Sequence, residues 1–185
     1  MSPVTLRVLG AFEAVLDRQS LPIVAPAKAK ALIAYLVGAM NTGNWLWILP
    51  IQPKYEPSRV IVRVNGEVTE YRPGIEGFFE LQAAFDTAFA DFSNLDLVPM
   101  GLSDETLQEY DQSAVVVEIQ YPQDIRFNTI VRMRNVSRLL IPIAGRHAGN
   151  RYMFLGSDER WLTGALVMAD DQPIYDALRA LGHIE

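Results

Sequence analysis

The sequence predicts an α+β fold: a twisted antiparallel sheet with helices on one face, preceded by an N-terminal hairpin and an apolar helix. Three observations carry this. Asn65-Gly66, the dipeptide favoured in a two-residue type I′ turn, sits between "RVIVRV" and "EVTEYR". Further on, "AVVVEIQY", "RFNTIVRMR", "SRLLIPIAG", "RYMFLG" and "TGALVM" read as strands, with breaks too short for crossover helices. Runs with apolar residues at helical spacing lie before and after them.

In chain order, "TLRVLGAFEAVLD" is strand-like on either side of Gly10, and "RQSLPIVAP" adds turn residues, so residues 1–30 should hold a short hairpin. Helix signals begin at Pro26 and run through "AKAKALIAYLVGAM", apolar on every face, which demands deep burial or lipid. Residues 31–51 form this apolar segment, residues 52–58 a linker marked by Pro53 and Pro57, and residues 59–185 the main domain. There the Asn65-Gly66 turn would pair Val64 with Glu67, Val62 with Thr69 and Val60 with Tyr71. Ile75, Phe78, Phe85, Phe89 and Phe92 make an aromatic-rich stripe suited to packing on a sheet. Ser103 is placed to cap a helix whose first turn carries Asp104 and Glu105. "QPIYDALRAL" closes the chain as a helix, with Gly182 just past its end.

Composition narrows function. The chain has 185 residues, 50% of them apolar and 21% charged, with a mean hydropathy of +0.10, so it can bury a real core. It has no cysteine, which excludes disulfides, thiolate nucleophiles and cysteine-ligated metal sites. Of the net charge of -6, residues up to Pro53 carry about +2 and the rest about -8. An acidic body argues against nucleic acid as a partner.

Ala31–Ile51 contains no charge and has the roughly 20 residues that a spanning helix needs. Lys28 and Lys30 precede it, and Trp45 and Trp47 lie near its far end, the flanks expected at a membrane interface. Its leucines, isoleucines and valine contribute about 3 kcal/mol to insertion, against about 1 kcal/mol or more for each of Asn41 and Asn44. The alternative is a helix ending near Met40, a turn at Asn41 to Asn44, and "WLWILPI" as a buried strand.

Within residues 44–182, "NWLWILPIQPKYEPSRVIVRVNGE", "PGIEGFFELQAAFDTAF", "GLSDETLQEY" and "LLIPIAGRHAGNRYMFLG" resemble uncharacterised bacterial proteins that begin with a membrane anchor. Their layout is like that of the accessory proteins of sensor histidine kinases, which implies an extracytoplasmic α+β domain. "LRVLGAFEAVLDRQSLPIVAPAKAKALIAYLV", Leu6 to Val37, resembles the start of bacterial transcriptional activator proteins, where a small sheet precedes a winged helix-turn-helix. After Val37 no basic second and third helices follow, so the resemblance does not extend to DNA binding.

Catalytic chemistry has little to build on. His147 and His183 are the only histidines, and no H-E-x-x-H, G-x-S-x-G, G-x-G-x-x-G or Walker A pattern occurs, so neither an enzyme nor a cofactor is expected. The uneven feature is a basic run. Arg126, Arg132, Arg134, Arg138, Arg146, His147 and Arg151 fall in a stretch without acids, between Asp124 and Asp158. They are candidates for binding an anionic polymer, a lipid headgroup or an acidic protein partner; the alternative is pairing with acids of the covering helices. The function expected is a non-enzymatic, membrane-anchored extracytoplasmic domain in interaction or regulation. The alternative is a soluble cytoplasmic regulatory protein with a degenerate winged-helix-like N-terminus.

Overall fold

The computed structural model describes residues 5–7, 13–16, 19–22, 26–42, 45, 52–92, 97–129, 135–158 and 160–185, and the chain divides into two units, Met1–Ile48 and Leu49–Glu185. In the first unit, β1 (Thr5–Arg7), β2 (Glu13–Leu16) and β3 (Gln19–Pro22) pair antiparallel in that order. Helix α1 (Ala27–Thr42) follows; its 16 residues correspond to about 24 Å, against about 30 Å of bilayer hydrocarbon. Among the described residues no helix is long and apolar enough to cross a membrane. The expected spanning segment, Ala31–Ile51, is thus helical as far as Thr42, while residues 43, 44 and 46–51 lie outside the described residues, Trp47 among them. Lys28 is exposed and Lys30 half-buried in the first turns of α1. Trp45 is exposed, and its carbonyl accepts a 2.5 Å hydrogen bond from the Tyr35 hydroxyl.

The second unit runs β4 (Arg59–Val64), β5 (Glu67–Tyr71), α2 (Phe78–Ala88), α3 (Asp104–Gln112), β6 (Val115–Gln120), β7 (Arg138–Ala144), β8 (Tyr152–Gly156), β9 (Trp161–Val167) and α4 (Gln172–Ala180). The strands form one antiparallel sheet in the order β5-β4-β6-β7-β8-β9. Asn65 and Gly66 adopt φ of 50° and 90°, as a type I′ turn requires, and the β4–β5 register pairs Val60 with Tyr71, Val62 with Thr69 and Val64 with Glu67. Ser103 caps α3 by accepting a hydrogen bond from the Thr106 amide. After α4, Gly182 takes a φ of 76° in the reversal that ends the helix.

Side chains alternate across the sheet. Val115, Val117 and Ile119 of β6 join Val60, Val62, Leu139, Ile141 and Leu166 beneath Phe78, Leu81 and Phe85 of α2 and Ile174 and Leu178 of α4. Val116, Leu140, Phe154 and Ala165 point the other way and pack with Tyr110 of α3. The expectation that the helices cover one face is therefore corrected: α2 and α4 cover one face, α3 the other. The reason lies in the strands. Runs such as "VVV", "LLI" and "MFL" are apolar at successive positions and need cover on both sides.

"RFNTIVRMR" also differs from expectation. Its described part, Arg126 to Thr129, is loop rather than strand, and residues 130–134 lie outside the described residues. Both edges of β6 are already taken by β4 and β7, which leaves no adjacent edge for this segment. It packs instead through Ile125 and Phe127, both buried, while the Ile125 amide donates to the Val136 carbonyl at 2.7 Å.

This burial makes a stability contrast. Ile119→Ala empties a fully buried position and should cost about 3 kcal/mol, whereas Val68→Ala on the exposed edge strand should cost under about 0.5 kcal/mol. Urea unfolding of the two variants checks this.

Candidate functional site

The centre of interest is a charge where the strand pattern leads one to expect none. In "VVVEIQ" Glu118 faces α3 from the middle of the sheet and is 2% exposed. A carboxylate so placed must be partnered, because burial of an unpaired charge is very costly. The register supplies the partners diagonally. Glu118 lies opposite Ile61 and Leu140, so Arg63 and Arg138, each two residues along and on the same face, reach back to it. Glu118 accepts four hydrogen bonds: from Arg63 Nη1 at 3.0 Å, Arg138 Nη2 at 2.7 Å, Arg138 Nε at 3.1 Å and Gln120 Nε2 at 2.7 Å. Burial pushes its pKa up, but Gln120, Arg138 and Arg63 outweigh that, and the carboxyl lies below its ordinary value.

Arg138 is held from a second side. Its guanidinium carbon lies 4.7 Å from the centre of the Trp161 ring, a cation–π contact. The indole can lie against the strand because its partner in the β8–β9 register is Gly156; a Cβ there would come within 2.6 Å of the ring. Arg63, Arg138, Glu118, Trp161 and Tyr110 line an open cleft of about 180 Å³, with Asp111 at the rim, 3.4 Å from Arg63 Nε and mostly exposed.

Beside the cleft, α3 holds the loop after β7. Arg146 Nε donates to Glu109 Oε2 at 2.9 Å, its backbone N–H donates to Glu109 Oε1 at 3.1 Å, and Nη2 lies 3.4 Å from Glu105. The Tyr110 hydroxyl is 2.7 Å from His147 Nδ1 and donates to the Arg146 carbonyl at 3.1 Å. Burial, the adjacent Arg146 charge next, lowers the His147 pKa, and burial holds the Tyr110 phenol well above its ordinary value.

The expected basic run is thereby divided. Arg138 lies in the cleft; Arg146 pairs with Glu109 and Glu105 of α3, the pairing with helix acids that was the alternative, while His147 meets the Tyr110 hydroxyl of the same helix. Arg126 is exposed, with its backbone N–H donating to the Tyr55 hydroxyl at 2.9 Å, and Arg151 donates to the Ala169 carbonyl. Arg132 and Arg134 lie outside the described residues. Sequence reasoning missed Arg63, Glu118, Gln120 and Trp161. The available signal was the lone acid inside an otherwise apolar strand, with an arginine at an interior position of "RVIVRV". Among the described residues no group of three or more His, Cys, Asp or Glu could hold a metal ion. No family model matches the chain, and neither a curated protein nor a solved structure matches it.

The pairing fixes a pH dependence. The folded pKa of Glu118 lies below its unfolded value, so its contribution is complete above the ordinary carboxyl pKa of 4.5 and is lost as pH falls through the folded pKa. Glu118→Gln, which leaves two arginines without their buried carboxylate, should cost about 3 kcal/mol at neutral pH. The gap between the two proteins in urea unfolding should narrow steadily below pH 4.5.

Proposed function

We propose that the chain is a non-enzymatic interaction module whose body recognises a carboxylate of an acidic partner on the α3 side of its sheet. The supporting observation is the setting of Arg63 and Arg138 on either side of buried Glu118 in an open cleft. One buried carboxylate between two guanidiniums leaves positive charge at the cleft floor, which the mostly exposed Asp111 at the rim, 3.4 Å from Arg63, offsets only weakly because exposed pairs contribute little. Planar guanidiniums with fixed orientation match carboxylate geometry, and Trp161 and Glu118 fix that of Arg138. Stability alone does not call for such a cluster, since apolar residues of similar volume serve a sheet face at least as well.

The N-terminal hairpin and apolar helix belong to the same proposal as a means of attachment to a membrane. Leu32, Leu36 and Met40 are exposed at i, i+4 and i+8 on α1, with Lys28 one turn before them, an arrangement suited to a lipid interface. On fractionation the full chain should sediment with membranes and resist a high-salt wash; recovery in the soluble fraction removes this part of the proposal.

Titration with a short glutamate-rich peptide tests the cleft. Binding should be saturable and weaken between low and physiological salt. Arg138→Gln should abolish it, and Gly156→Ala, which displaces the indole without removing a charge, should weaken it with the circular dichroism spectrum unchanged. A wild-type chain that ignores the peptide, or variants that bind it equally well, would end the proposal.

A further inference from the structure

The opposite face of the sheet carries a second cavity, of about 230 Å³, where the segment from Gln52 to Pro57 passes the end of α2. Its walls are built by side chains gripping backbone. The Tyr55 hydroxyl donates to the Arg126 carbonyl at 2.8 Å and accepts from the Arg126 amide at 2.9 Å. Gln52 does the same to Asn128, donating to its carbonyl at 3.1 Å and accepting from its amide at 2.7 Å. These paired contacts lock the segment onto the 125–129 loop.

The lining is aromatic. Tyr55, Phe85, Phe89, Tyr121 and Phe127 surround the space together with two charged residues, Asp86 and Lys54. Phe85 and Phe89 are stacked at 9°, and the other rings stand across one another: 75° between Tyr55 and Tyr121, 87° between Tyr55 and Phe127, and 71° between Phe89 and Phe127. Among the described residues Asp86 forms an ion pair with Lys54 at 3.2 Å, and that lysine's side chain is 74% exposed. Such an exposed pair contributes little, so the carboxylate is open to another cation.

We propose that this cavity binds a quaternary ammonium group. Aromatic faces attract cations through the ring quadrupole, and the Asp86 carboxylate supplies the countercharge. A primary ammonium has three N–H donors to satisfy, which aromatic faces do not do; that of Lys54 meets Asp86 with its side chain largely in water. A quaternary ammonium has no N–H to satisfy and loses little by leaving water for such a lining. An apolar cavity of about 150 Å³ admits benzene, so this larger one has room for a trimethylammonium head and the start of its arm.

The probe is choline, titrated into the full chain and followed by amide chemical shifts and calorimetry, with neohexyl alcohol as its uncharged carbon isostere. Choline should saturate, with the shifts centred on Tyr55, Asp86 and Phe127. The isostere should bind roughly tenfold more weakly or worse. Asp86→Asn should weaken choline by a similar factor, and Lys54→Ala, which removes the competing cation, should tighten it. Arg138→Gln should leave it unchanged, separating this site from the cleft on the other face. The proposal is overturned if choline does not saturate, if the isostere binds as well as choline, or if Asp86→Asn binds choline as well as the wild type.

Discussion

The second unit depends on the register of β6. This strand is paired along its length with β4 on one side and β7 on the other, and its alternating residues feed both cores at once. A slip of one residue would exchange its faces, turning Ile119 towards α3 and Glu118 into the aromatic and aliphatic layer beneath α2 and α4. Three consecutive valines, Val115 to Val117, oppose that slip only weakly, because a valine would still occupy two of those three positions. Glu118 does not. Its carboxylate finds its cationic partners in Arg63 and Arg138 of the two neighbouring strands, so the buried charge distinguishes one register from its neighbour.

The same carboxylate links the stability of the sheet to the proposed recognition. Orienting two guanidiniums from below leaves their remaining edges facing the cleft, and Gly156 admits the indole that holds one of them flat. On the α2 side the organising device is different: Tyr55 and Gln52 each hold the amide and carbonyl of one loop residue, which keeps a ring-lined space open against collapse. The two cavities lie on opposite faces and share no lining residue.

Much of the fold could be read in advance where local chemistry decides the outcome. The Asn65-Gly66 turn set the β4–β5 register, Ser103 marked the start of α3, and Gly182 marked the end of α4, each through a requirement on one or two residues. The candidate site was less accessible. Counting arginines between Asp124 and Asp158 singled out a run in sequence, but Arg138 finds its acid in β6 and its aromatic partner in β9, while Arg63 comes from β4. A run along the chain does not report neighbours across a sheet.

What the sequence determined by itself was therefore the type of most elements of the second unit: the β4–β5 hairpin, the apolar strands, the helices, and an α+β body of antiparallel strands. These follow from dihedral preferences and hydrophobic period, which act over a few residues. Only the tertiary structure decided which face α3 would cover, that "RFNTIVRMR" would begin as a loop over an aromatic cluster, and that Glu118 would lie between two arginines. Those outcomes turn on which strand edges remain free and which distant side chains reach one another, properties of the assembled sheet that no single segment carries.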